Sequence, residues 1–403
     1  MLNTKFAAWP SFTDEEADAV AQVVRSNRVN YWTGQEGREF EKEFAQFAGS
    51  AYAIALSNGT LALDLALKGL GIGAGDEVIV TPRTFIASAS CVVTAGATPV
   101  FADVDAQSGN LSAETIAPMI TDRTRAIIVV HLAGWPADMD PIMDLAARHD
   151  IKVIEDCAQA HGALYKGRPV GGIGHVGAWS FCQDKIMTTG GEGGMVTVND
   201  PDLWADMWAY KDHGKSYDAV YNRDHAPGFR WLHESIGTNW RMMEIQAVIG
   251  RIQLKRMAEW TKARTDNASR IEAALAKAGG AAVRLPQLRC QGCTGCDATT
   301  GCTHANYKYY AYVEPDALAP GWTRDRIVAQ INALGVPCFQ GTCSEVYLEK
   351  AFDGMDVRPT TPLRTTQRLG ETSIMFLVHP TLTDDEISQT EAAIAEVFEQ
   401  AKA

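Results

Sequence analysis

The stretch Ser180-Phe181-Cys182-Gln183-Asp184-Lys185 sets a lysine five residues beyond a serine, just past an apolar run, Gly177 to Phe181, that reads as a buried strand. Hydroxyls and four glycines around Glu192 follow, and then a second short strand, Met195–Val198. Desolvation favours the neutral amine of a lysine, a nucleophile able to form a Schiff base with a carbonyl. A lysine taken alone is more often a solvated surface residue. Its neighbours must decide.

Three other strand ends bear on it. Ser57-Asn58-Gly59-Thr60 follows an apolar run, Tyr52–Leu56, and opens an apolar helix. The free N–H groups and partial positive charge of that helix start would cradle a phosphate at Gly59 and Thr60, although a plain N-cap reads the same way. Thr84-Phe85 follows Glu77–Thr81, and the Phe85 ring either packs in the core or stacks on a flat cofactor. Asp156 follows Lys152–Glu155, where an unpaired buried carboxylate is costly. Capping the next helix would satisfy it, and so would a protonated pyridine nitrogen, with Gln159 one turn later in reach of a ring hydroxyl. A phosphate cradle, a stacking ring, an acid for a pyridinium and a Schiff-base lysine together describe a pyridoxal-phosphate site.

The elements that position these residues alternate. Strands are expected at Tyr52–Leu56, Glu77–Thr81, Thr98–Phe101, Ala126–Val130, Lys152–Glu155, Gly177–Phe181 and Met195–Val198. Helices are expected between most of them, at Thr60–Leu70, Ala87–Ala95, Ala113–Ile120 and Pro141–Arg148, preceded by Thr13–Ser26 and Arg38–Ala48. The pattern is that of an α/β protein with a mostly parallel seven-stranded sheet flanked by helices, one of the last two strands running antiparallel. Ligands of such sheets sit outside the carboxyl ends of the strands. A long helix over Arg241–Ala278 leads into a smaller α+β unit with strands at Tyr307–Val313 and Ser373–Leu377 and helices at Arg324–Leu334 and Asp384–Lys402. The expected division is 1–255 for the N-terminal segment and large cofactor-binding domain, and 256–403 for the small C-terminal domain with a Cys-rich loop at 290–304.

Taken in order, these pieces resemble the DegT/DnrJ/EryC1/StrS sugar aminotransferases, of the fold-type-I aspartate aminotransferase superfamily. The resemblance runs from Phe40-Glu41 and Phe44-Ala45 through Ser57–Thr60, Thr84-Phe85, His131–Gly134, Ile154–Ala160 and Ser180–Gly194 to Gly237–Met242 and His379-Pro380. It implies that Lys185 holds pyridoxal 5'-phosphate and moves the proton, that Asp156 bonds the ring nitrogen and Gln159 the phenolic oxygen, and that Phe85 stacks on the ring. It implies that Gly59, Thr60 and Ser180 bind the phosphate and that Asn239 reaches the phosphate of a neighbouring subunit in a homodimer. The implied reaction carries an amino group from glutamate to a keto group of a nucleotide-linked sugar; a keto-cyclitol acceptor and a non-catalytic cofactor-binding regulator are the alternatives. The doubled glycine Gly190-Gly191 is one residue more than the family's pattern.

Bulk properties fit. The chain of 403 residues is 46% hydrophobic and 21% charged, as a soluble globular protein is, with room for two or three domains. Its net charge of −13 argues against nucleic acid as a partner. No apolar run is long enough to span a bilayer and the N-terminus lacks a signal-peptide core, so the expected location is the cytoplasm, where the nine cysteines need not pair. Cys290, Cys293, Cys296 and Cys302, with His304, have the spacing of a metal or iron–sulfur site. A loop insertion there needs no metal, and the reading includes none.

Gly172-Ile173-Gly174-His175-Val176-Gly177 spells a dinucleotide fingerprint but leads into a strand rather than a helix. For a sugar nucleotide, the aromatics of Asn30-Tyr31-Trp32-Thr33-Gly34, some of Tyr307, Tyr309, Tyr310 and Tyr312, and Arg230 and Arg241 are the candidate cleft residues.

Overall fold

Apolar residues that alternate between two buried faces build the large sheet. The computed structural model describes residues 5–224, 227–228, 230–286 and 301–403. Its strands are β1 (Tyr52–Leu56), β2 (Glu77–Val80), β3 (Thr98–Phe101), β4 (Thr124–Val130), β5 (Lys152–Asp156), a two-residue hairpin β6 (Leu164–Tyr165) and β7 (Arg168–Pro169), β8 (Val176–Ser180) and β9 (Gly194–Val198). Seven of them pair in the order β1-β9-β8-β5-β4-β2-β3. β3, β2, β4, β5 and β8 are mutually parallel, and β9 runs antiparallel to both its neighbours. Ile127 and Val129 enter one core, and Ala126, Ile128 and Val130 enter the other across the sheet. That period of two with both faces covered is the signature of a helix-flanked sheet.

The flanking helices are α1 (Asp14–Arg25), α2 (Glu36–Phe47), α3 (Gly59–Gly69), α4 (Ala87–Thr94), α5 (Ala113–Ile116), α6 (Met139–Arg148), α7 (Pro201–Tyr210) and α8 (Tyr217–Tyr221). The helix expected to reach Ile120 stops at Ile116, and Pro118 lies in a 3-10 turn, Ala117–Met119. The long helix α9 (Glu244–Gly279) starts three residues later than its pattern implied. Residues 239–241 are extended instead, with isolated bridges joining Asn239 to Asp212 and Arg241 to Leu56. Beyond α9 come β10 (Val283–Arg284), β11 (Tyr309–Val313), α10 (Arg324–Ala333), β12 (Cys338–Phe339), α11 (Arg364–Thr372), β13 (Ser373–Phe376) and α12 (Asp384–Ala401). They form an antiparallel sheet, β10-β11-β13-β12, with its own core of Ile271, Leu275, Ile327, Ile374 and Phe398 among others.

The glycine fingerprint has a structural role. Glu155 is fully buried, and its carboxylate accepts hydrogen bonds from the N–H groups of Gly171 (2.8 Å), Ile173 (2.9 Å) and Gly174 (2.6 Å). His131 Nδ1 accepts from Ala137 N–H, so its Nε2–H faces Glu155 Oε2 at 3.0 Å. Burial alone would raise the Glu155 carboxyl, but His131 and the glycine N–H groups outweigh it and hold the acid below its usual value. The loop before β8 is wrapped around this carboxylate.

Cys290, Cys293 and Cys296 lie outside the described residues. Cys302 is buried with its sulfur 3.5 Å from Lys166 N, and His304 Nδ1 accepts from Asn306 N–H at 2.8 Å.

Glu155→Ala should cost ~3–5 kcal/mol at neutral pH, as breaking a buried charge network does, read as a fall in unfolding midpoint. Because the folded-state acid is held low, its stabilisation is complete above the ordinary glutamate value near 4.5 and is lost as pH falls through the lower folded value. The gap between wild type and variant should therefore close below pH ~4.5.

Candidate active site

Four strand ends of the large sheet meet around one cavity of about 600 Å³. Gly59, Thr60, Phe85, Asp156, Gln159, Ser180 and Lys185 all line it. Seven of the eight residues singled out from sequence are thus brought together.

β1 delivers the first pair. Asn58 caps α3 by accepting from Leu61 N–H at 3.0 Å, and the N–H groups of Gly59 and Thr60 have no acceptor inside the helix. A Cβ on Gly59 would stand 2.5 Å from Ser180 Cβ, so the helix start and the end of β8 touch only because residue 59 is glycine. That contact brings the Ser180 hydroxyl against the first turn of α3.

β2 and β5 deliver the second set. Ser88 donates to Asp156 Oδ2 at 2.7 Å and is itself 2.8 Å from the Thr84 hydroxyl. Ala158 N–H donates to Asp156 Oδ1 at 3.1 Å. Burial pushes the Asp156 carboxyl up, and those two bonds with the charges of Lys185 and His131 only partly offset it. Adjacent carboxylates of one strand are driven in opposite directions, since Glu155 has backbone donors and His131 while Asp156 is short of partners. Gln159 Oε1 accepts from Ala133 N–H at 2.7 Å, which leaves its amide N–H groups for the cavity. Phe85 is 67% exposed on the cavity wall, so its ring is not a core residue.

β8 delivers the lysine. The Lys185 side chain is 16% exposed, with Nζ 3.5 Å from Asp184 and 5.3 Å from the centre of the Tyr307 ring. Trp9 donates its indole N–H to the Lys185 carbonyl at 2.7 Å. The Tyr307 hydroxyl donates to Asp184. The glycines after the lysine close the turn back into β9, with Gly190 and Gly191 at φ +81° and +110°, where side chains are strained.

Asn239, the eighth residue, is exposed and does not line this cavity. The aromatic segment Tyr31-Trp32 also lies elsewhere. Tyr31 is buried and lines a separate cavity of about 460 Å³ with Trp204, Trp208, Tyr217 and Tyr221. Arg241 is ion-paired to Asp212, and Arg83 lies between Tyr310 and Tyr312. Of the tyrosine run only Tyr307 meets the lysine loop; Tyr309 joins the core of the small sheet.

Sequence reasoning missed Ser88, Asp184 and Trp9. Ser88 was legible as the residue one helical turn after Thr84. Trp9 carries no local signal, because its contact spans 176 positions.

A helix-flanked sheet with these groups at its strand ends defines the fold-type-I class of pyridoxal-phosphate enzymes. The chain belongs to the DegT/DnrJ/EryC1/StrS aminotransferase family, whose model matches residues 10–395. It is an aminotransferase, and the family's cofactor is pyridoxal 5'-phosphate. The crystal structure of an aminotransferase from Psychrobacter cryohalolentis is 65% identical and superposes with a TM-score of 0.94, covering 98% of this chain and 99% of that one. GDP-perosamine synthase of Caulobacter vibrioides is 36% identical over 400 residues, 97% of each chain. L-glutamine:2-deoxy-scyllo-inosose aminotransferase of Streptomyces kanamyceticus is 38% identical over 340 residues, 82% of this chain and 75% of that one. Among the described residues no helix is long and apolar enough to cross a membrane.

The residues present fit the cofactor. The under-partnered Asp156 suits a cationic ring nitrogen, and the contact between Gly59 and Ser180, which any side chain at position 59 would force apart, sets the Ser180 hydroxyl against the helix start. Gly59→Ala should therefore weaken cofactor affinity by about tenfold or more, the loss of one or two charged hydrogen bonds, while the protein stays folded. Equilibrium dialysis of the folded variant against pyridoxal phosphate measures it.

Proposed function

We propose that this aminotransferase moves the amino group of glutamate to a keto group of a nucleotide-linked deoxysugar, as a cytoplasmic homodimer. The observation that carries it is the convergence of Lys185, Asp156 and the Gly59–Thr60 helix start on one cavity large enough for a flat cofactor and part of a substrate. The GDP-perosamine synthase likeness over nearly the whole chain supports a nucleotide-sugar acceptor. The deoxyinosose aminotransferase supports the second reading, a keto-cyclitol acceptor.

Each residue has a task in this reading. The first-turn N–H groups of Gly59 and Thr60 and the Ser180 hydroxyl hold the phosphate, where the helix dipole favours an anion. Phe85 covers one face of the ring and keeps water from it. Asp156 keeps the ring nitrogen protonated, because a buried carboxylate gains a charge-assisted bond that it otherwise lacks. Gln159 donates its amide to the ring oxygen. The bound cofactor supplies a carbonyl for amine capture and a ring that delocalises electrons released at the substrate carbon. Lys185 Nζ would be the group that holds and moves the proton, with Asp184 at 3.5 Å beside its ammonium. Asn239, exposed and away from this cavity, serves the cavity of the neighbouring copy.

Two measurements test this. A panel of UDP-, GDP- and dTDP-linked 3- and 4-keto sugars, with 2-oxoglutarate release followed from glutamate, should give turnover with at least one nucleotide sugar. Turnover with a keto-cyclitol alone would replace the acceptor. For the assembly, Lys185→Ala and Asn239→Ala subunits should each be inactive alone but give one intact site when mixed. Mixtures that stay inactive would place Asn239 in its own subunit's site or nowhere near one.

A further inference from the structure

Behind Asp156 stands a chain of two buried hydroxyls. Thr84, Ser88 and Asp156 all line the cavity that holds Lys185. Thr84 and Ser88 are each 1% exposed, so bulk water does not compete for either hydroxyl. Ser88 donates to Asp156 Oδ2 at 2.7 Å, and the Ser88 and Thr84 oxygens lie 2.8 Å apart. A hydroxyl has one proton to give. Ser88 commits its own to Asp156, so the second bond is donated by Thr84, whose hydroxyl has no other hydrogen-bond partner among the described residues. The chain therefore runs in one direction, from Thr84 through Ser88 to the carboxylate.

Its place in the fold is specific. Thr84 follows β2, Ser88 stands in the first turn of α4, and Asp156 ends β5. Ser88 N–H donates to the Phe85 carbonyl at 3.2 Å, which closes the turn between the two hydroxyls. Phe85, inside that turn, is the exposed ring on the cavity wall. One turn of backbone thus presents both a flat apolar face and a donor to the acid. On the acid itself, Ala158 N–H holds Oδ1 and Ser88 holds Oδ2, so the carboxylate plane is set from both oxygens. A carboxylate accepts about four bonds, which leaves acceptor capacity for the cavity. Burial raises this acid, and the Ser88 hydroxyl is the foremost group opposing burial, ahead of Ala158 N–H and the charges of Lys185 and His131. The neighbouring thiols Cys91 and Cys157 are kept protonated by burial and nearby acids and bring no charge.

We propose that Ser88, with Thr84 behind it, is a positioning residue that keeps the proton shared by Asp156 and the cofactor on the ring nitrogen. This rests on the reading above that Asp156 faces that nitrogen. A carboxylate and a pyridine in a dry site share one proton, and its place depends on which of the two holds it more tightly. A donor into Oδ2 stabilises the charged carboxylate and leaves the proton on nitrogen. A hydroxyl that itself receives a bond is a stronger donor, which is the part of Thr84. Without the chain, the same two groups would meet as a neutral acid and a neutral ring, a weaker sink for electrons.

The test reads the proton directly. Holoenzymes of wild type, Ser88→Ala, Ser88→Thr and Thr84→Val, loaded with ring-¹⁵N-labelled pyridoxal phosphate, are compared by nitrogen NMR at neutral pH. The Ser88→Ala signal should move from the protonated position toward the neutral one. Thr84→Val should move it less in the same direction, and Ser88→Thr, which keeps the hydroxyl, should leave it in place. Cofactor affinity by equilibrium dialysis should fall about tenfold in Ser88→Ala. Gly59→Ala is the control, because it acts at the phosphate end and should lower affinity with the nitrogen signal unmoved. A wild-type nitrogen signal in loaded Ser88→Ala, or in Thr84→Val should the serine variant not fold, would overturn the proposal. So would equal displacements in Ser88→Ala and Ser88→Thr, which would mark a packing effect. Asp156→Asn separates this inference from the reading beneath it. If that variant moves the signal and Ser88→Ala does not, the hydroxyl chain alone is wrong. If it too leaves the signal in place, the pairing of Asp156 with the ring fails, and this inference with it.

Discussion

Two carboxylates side by side at the end of β5 set the terms for the whole site. Glu155 and Asp156 point to opposite faces of a buried strand, as successive strand residues must. On one face the chain spends a glycine-rich loop and a histidine on Glu155. On the other it gives Asp156 one hydroxyl and one N–H, and burial raises the acid. A group left short of partners in a low-dielectric interior is costly, and it gains most when a cation arrives. In the proposed reading the missing partner is the cofactor's ring nitrogen.

Everything else at the site is geometry around that carboxylate. β5 sits near the middle of the sheet, with β4 on one side and β8 on the other, so its end is flanked by two loops that can carry function. β8 carries Ser180 and, past its end, Lys185. β1 joins the same group through β9, which runs antiparallel between β1 and β8, so the α3 N-terminus lies against Ser180. β9 runs against its neighbours because a loop over 181–193, not a helix, links it to β8. The lysine stands in that loop, where Trp9 and Tyr307 fix it from two distant parts of the chain.

Much of this was legible in the sequence. The strands showed as short apolar runs, and the acid, lysine and glycine-threonine turn stood at the ends of those runs. What pattern could not reach was long-range contact. Trp9 and Tyr307 meet Lys185 across separations that no local spacing encodes, and Tyr307 was one of four indistinguishable tyrosines until the strand start at Tyr309 divided them. Tyr31 and Trp32 looked like an open aromatic surface but pack with Trp208 around the buried Lys211, whose ammonium lies 3.6 Å from the centre of the Tyr31 ring. The Gly172–Gly177 fingerprint was correctly set aside, but its structural reason, a cradle for Glu155, required the fold. Asn239 is exposed and does not line the cavity of Lys185, which no local pattern foretells.

The most direct test of the account is the protonation state of the cofactor's ring nitrogen. Holoenzyme reconstituted with ring-¹⁵N-labelled pyridoxal phosphate can be followed by nitrogen NMR in wild type and in Asp156→Asn at neutral pH. The account predicts a protonated ring nitrogen in wild type and a neutral one in the folded, cofactor-loaded variant. A ring nitrogen that stays protonated without the Asp156 carboxylate, or that is neutral in wild type, would contradict it.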